Sequence, residues 1–162
     1  MNRTVTPLWL LAVVVLLGGG CKHKSIWQVY DEKREIARLA ACMDQDWDRT
    51  YPDITPASAG LLEIGEPALP TLLPMMLDER DMVRRRAQYA IIQITARSTG
   101  RYAVKNQAED IAAAARFKEL MAELGNLQWD APREARAAAV VKWKNWLASR
   151  PRATEPKKPA VR

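Results

Sequence analysis

Histidine and cysteine are almost missing from this chain, which has one histidine, His23, and two cysteines, Cys21 and Cys42, in 162 residues. Histidine zinc sites need several imidazoles, and a Ser-His-Asp relay needs one beside its nucleophile, so neither chemistry has its parts. There is no Cys-x-x-Cys, no His-Glu-x-x-His, no Gly-x-x-x-x-Gly-Lys and no serine elbow. The seven glycines are accounted for by Gly18 to Gly20, by helix ends and by one loop. Glu119 and Glu123 stand at i, i+4 on a polar helix face, where solvated acids normally sit. Asp44-Gln45-Asp46-Trp47-Asp48 opens like a calcium loop, but Arg49 replaces the turn glycine and Thr55 the bidentate glutamate. The chain is therefore expected to be no enzyme, with no catalytic residues, no metal, no cofactor and no small-molecule substrate.

A membrane-length apolar run is also absent. The longest stretch, Leu8 to Gly20, has 13 residues, against the roughly 20 that a spanning helix needs. It follows a leader carrying only Arg3 and ends in small residues, the order of an export signal. Leu16-Leu17-Gly18-Gly19-Gly20-Cys21 resembles the lipobox of bacterial lipoproteins. That resemblance implies removal of residues 1–20, acylation of Cys21, and a tether over residues 21–25. It also implies an exported protein, lipid-anchored in the cell envelope. Lys22 in place of aspartate after the cysteine favours the outer membrane in a Gram-negative cell. With Cys21 acylated, Cys42 has no disulfide partner and reads as a small buried hydrophobe.

The remaining 142 residues suit one domain. The net charge of +6 is unevenly placed, because residues 21–149 hold 19 basic against 18 acidic groups. The excess sits in residues 150–162, a basic tail with three prolines that reads as disordered. A near-neutral domain gives no electrostatic footprint for nucleic acid, and none is expected. The tail suits anionic surfaces instead, so a structural tether to cell wall or membrane is the alternative to a binding scaffold.

Helical periodicity fills the domain, residues 26–149. Val29, Ile36, Leu39, Ala40, Met43 and Trp47 repeat at helical spacing over 26–47. Thr55 as N-cap, Pro56 at the first position and Gly65 after the end bracket a helix over 56–64. Helix 82–96 carries Val83, Ala87, Ile91 and Ile94 on one face and Tyr89 and Ile92 nearly opposite, so it should be packed on both sides. Phe117, Leu120, Met121 and Leu124 mark helix 108–124. Ala135, Ala139, Val140, Trp143, Trp146 and Leu147 form the stripe of helix 132–148, with Lys142, Lys144 and Asn145 outside.

The segment Leu61-Leu62-Glu63-Ile64-Gly65-Glu66-Pro67-Ala68-Leu69-Pro70-Thr71-Leu72-Leu73, an Asp78-Glu79-Arg80-Asp81 turn, and a second helix opening Val83-Arg84 resemble a HEAT repeat. A weaker copy lies 52 residues on, pairing Asp78 with Asp130, Arg84 with Arg136, Ala87 with Ala139 and Ile91 with Trp143. The resemblance implies an all-α fold, a short α-solenoid of about three helical hairpins that bury each other's faces. Helix 26–47 joins that stack by analogy only.

Arg136 lies inside an apolar stripe, where an unpaired charge is costly. The family resemblance implies an ion-pair ladder, with Arg84 on Asp81 and Arg136 taking an acid of a neighbouring repeat, Asp130 being the acid of its own turn. The run Arg84-Arg85-Arg86 with Arg80 reads as a solvated face offset by Asp78, Glu79 and Asp81. Of the tryptophans, Trp143 and Trp146 read as core. Arg80, Arg85, Tyr89 and Trp129 are the candidates for binding a partner, expected to be an unidentified envelope protein.

Overall fold

The computed structural model describes residues 26–45, 51–102 and 106–150. The expected signal, the Cys21 anchor and tether, and the tail beyond Arg150 lie outside these residues. The fold is all-α: α1 (Ile26–Ala41), α2 (Pro56–Ile64), a single 3₁₀ turn (Glu66–Ala68), α3 (Leu69–Met75), α4 (Asp81–Ser98), α5 (Gln107–Glu123) and α6 (Arg133–Ser149).

Helix α2 starts and stops where its end signals say. The Ser58 amide donates to Thr55 Oγ1 at 3.0 Å and the Thr55 amide to Ser58 Oγ at 2.8 Å, a reciprocal capping box. Gly65 closes the helix at φ 80°, in the left-handed region open to glycine. Gly60 is spent otherwise than on a helix end or a loop. It stands inside α2, where a Cβ would lie 2.8 Å from Leu39 Cδ1, so the missing side chain lets α1 and α2 approach.

Among the closest helix pairs are α1 with α2, α3 with α4, α2 with α4, and α3 with α6. One core runs through them: Ile36, Leu39 and Met43 from the first helix and its turn, Leu61, Leu69, Leu72 and Leu73 from the short helices, Val83, Ala87, Ile91 and Ile94 from α4, and Ala139, Val140 and Trp143 from α6. The stripe of α4 is buried as expected, and Tyr89 and Ile92 on its other side are half-buried. Trp143 is wholly buried and meets Trp146 edge to face, with centroids 5.7 Å apart. Ala135, expected on the α6 stripe, is exposed. Helix α5 is in none of the close pairs. Leu124 just after it is buried, Leu120 and Met121 rest against the core, and Ile111 near its start is 64% exposed.

The polar chemistry of the interior is arginine on backbone carbonyl. Helix α1 ends at Ala41, short of Trp47, in a turn where the Cys42 and Met43 amides reach back only three residues. Arg86, 1% exposed, binds the turn and the connection beyond it: its Nη1 donates to the Met43 and Gln45 carbonyls at 2.8 Å each and its Nε to the Pro52 carbonyl at 2.8 Å. Arg136 does the same for α3, donating from Nε to the Met76 carbonyl at 2.8 Å and from Nη1 to the Ala131 carbonyl. Arg84 donates from Nη1 to the Asp78 and Glu79 carbonyls and from Nε to the Trp129 carbonyl at 2.9 Å.

Two expectations are thereby corrected. The arginine run is no solvated face, because Arg84 and Arg86 are buried. Of the expected ladder, the Arg84 to Asp81 pair forms, within one helix and with Asp81 69% exposed, but among the described residues Arg136 pairs with carbonyls and with no acid, and Asp130 is exposed. Carbonyls suffice because a guanidinium spreads its charge over five donors, and the turns and connections around it supply several acceptors within reach.

Replacing Arg86 with methionine strands the Met43 and Pro52 carbonyls and should cost about 3 kcal/mol. Arg85→Met, at a half-exposed position, should cost under about 1 kcal/mol. Chemical denaturation of both variants checks this, and equal losses would contradict the assignment.

Candidate functional site

Three of the four candidate partner-binding residues meet in one place. Helix α4 presents Arg85, Gln88, Tyr89 and Ile92 at i, i+3, i+4 and i+7. With Asp53 from the segment before α2 and Trp129 from the segment before α6, they line an open groove of about 460 Å³. The walls come from both neighbouring connections, so the groove exists only where α4 is packed between them.

Each wall is held. The Trp129 amide donates to Gln88 Oε1 at 2.8 Å while its carbonyl accepts from Arg84, so the backbone under the indole is fixed from both sides. Arg85 Cζ lies 6.0 Å from the Trp129 ring centroid, at the outer limit of cation–π contact. Arg85 Nη2 donates to Asp53 Oδ2 at 3.1 Å. Its Nε stands 2.7 Å from Asp53 Oδ1 but out of line for a hydrogen bond, leaving that buried oxygen accepting none. The pair neutralises the groove's one cation and leaves Tyr89, Ile92 and the indole as its apolar surface. Gln88 spends its carbonyl on Trp129, and its amide nitrogen donates to none of the described residues.

Arg80 is elsewhere. Its Nη1 donates to Asp44 at 2.5 Å and its Nε to Asp78 Oδ1 at 2.9 Å, tying the turn after α1 to the turn after α3. It does not line the groove. Asp81, Arg84 and Arg136 act in the scaffold as described, and Asp130 is exposed. Cys42, half-buried and free, opens with Arg38, Leu39 and Thr55 on a second cavity of about 250 Å³. No group of three or more histidine, cysteine or acidic side chains stands close enough to hold a metal among the described residues. No helix there is long and apolar enough to cross a membrane.

Asp53, Gln88 and Ile92 were not foreseen as site residues. A signal existed for two of them, since Gln88 and Ile92 share the face of Arg85 and Tyr89. Asp53 comes from a connection without periodicity and had none. Compared with known protein families, with curated proteins and with solved structures, the chain matches none.

The Asp78 carboxyl is held down to about 2 from its ordinary 3.8, first by the Arg80 side-chain hydrogen bond, with the Arg80 amide and the nearby guanidinium charges adding to it against partial burial. Its folded value lies below its unfolded one. The stability it contributes is therefore present above about pH 4 and lost as pH falls toward 2. Asp78→Asn should cost about 1 kcal/mol at neutral pH, after discounting for solvent screening of a pair at the surface. Denaturation midpoints across pH 7 to 2 should show the gap between the two chains closing below pH 4, and a constant gap would contradict the assignment.

Proposed function

We propose that the mature chain is a non-catalytic lipoprotein of the cell envelope, anchored through acyl chains on Cys21. In this reading its HEAT-like helical scaffold presents the α4 groove to a protein partner. The groove is the observation that carries the binding role: an aromatic and arginine-lined channel, with its ring supports fixed by backbone hydrogen bonds. Tryptophan, tyrosine and arginine are the residues that dominate binding at protein interfaces, and here all three line one channel. The anchor rests on the Leu16-to-Cys21 pattern and would hold the scaffold at the membrane surface, since two or three acyl chains give stable attachment.

The groove can be tested at Tyr89, which lines it and is not among the residues packed against the core, whereas the half-buried Trp129 side chain both rests on the core and walls the groove. In-cell crosslinking followed by mass spectrometry should capture one dominant envelope protein with the native chain. Tyr89→Ala should reduce that capture about tenfold at unchanged melting temperature, the loss of about 1.4 kcal/mol typical of a contact hot spot. Recovery of only abundant wall and membrane components, equally from both chains, would overturn the scaffold reading. In the same cells Cys21→Ser should abolish incorporation of a labelled fatty acid, and undiminished labelling would overturn the anchor.

A further inference from the structure

We propose that the first half of α1 docks on an anionic phospholipid surface through the face that carries Val29, Tyr30, Lys33 and Arg34. The inference rests on the Cys21 anchor proposed above, and it adds a second contact with the membrane, made by the folded domain itself.

Half of α1 stands clear of the core. Its buried residues begin at Ile36 and continue with Leu39 and, in the turn that follows, Met43, while none of the described side chains from Gln28 to Glu35 is buried. Helices in proteins draw most of their stability from packing an amphipathic face, and a stretch this short holds poorly by itself in water. A covering surface therefore has its largest effect here. Val29, 39% exposed, and Tyr30, 59% exposed, lead the face, and the exposed Lys33, Arg34 and Ala37 continue it through the next two turns. At about 100° per residue, these five fall within about 140° of the helix circumference. Asp31, Glu32 and Glu35 all fall outside that arc, so the face has two cations and no acid. Glu35 is paired with Arg38 at 2.7 Å, whereas neither Lys33 nor Arg34 is paired with an acid among the described residues.

This is the chemistry of a membrane–water interface. Tyrosine rings settle at headgroup level, and lysine and arginine lay their stems along apolar surface while the charged heads reach phosphate. Each cation near an anionic leaflet adds attraction. An acidic protein would meet the same two cations, but proximity favours lipid. Five residues separate Cys21 from Ile26, and five peptide units reach at most about 18 Å by any path. With the Cys21 acyl chains in the bilayer, the start of α1 is held within that distance of the headgroups. Lipid is then present at a high effective concentration, whereas a protein must be recruited. Docking of this face fixes how the domain is oriented on the membrane, which a flexible acyl anchor alone leaves open.

The test takes the purified chain beginning at Cys21, with Cys42→Ala, and joins it through the Cys21 thiol to a maleimide-headgroup lipid in vesicles, so that no acylation by a cell is needed. On vesicles of phosphatidylcholine with phosphatidylglycerol, hydrogen–deuterium exchange of the amides of residues 29–37 should slow about fivefold or more relative to the unattached chain. The double variant Lys33→Glu with Arg34→Glu should lose that slowing at unchanged melting temperature. Equal exchange in the attached and unattached chains overturns the proposal. So does a slowing that is as large on phosphatidylcholine alone or that survives the charge reversal, since either removes Lys33 and Arg34 from the contact. Slow exchange already present in the unattached chain shows that protein, from this chain or a second copy, covers the face, and overturns lipid as its occupant. Fatty-acid labelling in cells judges the Cys21 anchor separately, so failure of the anchor and failure of the docking face are told apart.

Discussion

A helix that ends inside a protein leaves carbonyls that need a donor, and in this chain guanidinium groups sent from other helices serve the turns that follow α1 and α3. These turns are received by Arg86 of α4 and Arg136 of α6, while Arg84 binds both its own turn and the turn before α6. The hydrophobic core is continuous but small, with short helices of nine and seven residues at its centre. Apolar contact alone is non-directional. The arginines fix which turn lies beside which helix, because each carries donors in a rigid planar fork that only one arrangement of carbonyls fits.

The groove is a consequence of that arrangement. Trp129 can wall α4 only because Arg84 draws the connection before α6 toward the start of α4, and Gln88 takes the amide of the same residue. Asp53 reaches Arg85 from a connection that Arg86 holds through the neighbouring Pro52 carbonyl. Buried and half-exposed arginines thus alternate in function along one short run: Arg84 and Arg86 position the two connections, and Arg85 between them faces the channel they create. Helix α5 takes no part in this network among the described residues. Its hold comes from Arg101 paired with Asp110 at its start and from Leu120, Met121 and Leu124 at its end.

The sequence carried the helices well because their signals are local. The Thr55, Pro56 and Gly65 ends of α2 and the Val83, Ala87, Ile91, Ile94 stripe of α4 can be read from spacing alone, and the all-α class follows. What escaped depended on tertiary context. Arg86 lies four residues before Ala90 and eight before Ile94, inside a buried stripe, and the argument that demanded a partner for Arg136 applies equally to it. Its place in a run of three arginines hid this, since charge runs usually face solvent. The acid expected for Arg136 was the wrong kind of acceptor, because backbone carbonyls leave no mark in a sequence. Arg85, Tyr89 and Trp129 were legible as candidates from residue type, whereas the 40-residue separation of Trp129 from Tyr89 concealed that they share a channel.

The most direct test of the arginine network is the exchange of side-chain Nε protons with solvent, followed by nuclear magnetic resonance of the folded chain. Arg84, Arg86 and Arg136 each donate this proton to a carbonyl of another segment at 2.8 to 2.9 Å, so three strongly protected Nε resonances are predicted, against rapid exchange at the exposed Arg38 and Arg80. An Arg86 Nε proton exchanging as fast as that of Arg38 would contradict the claim that buried guanidinium groups hold the turns together.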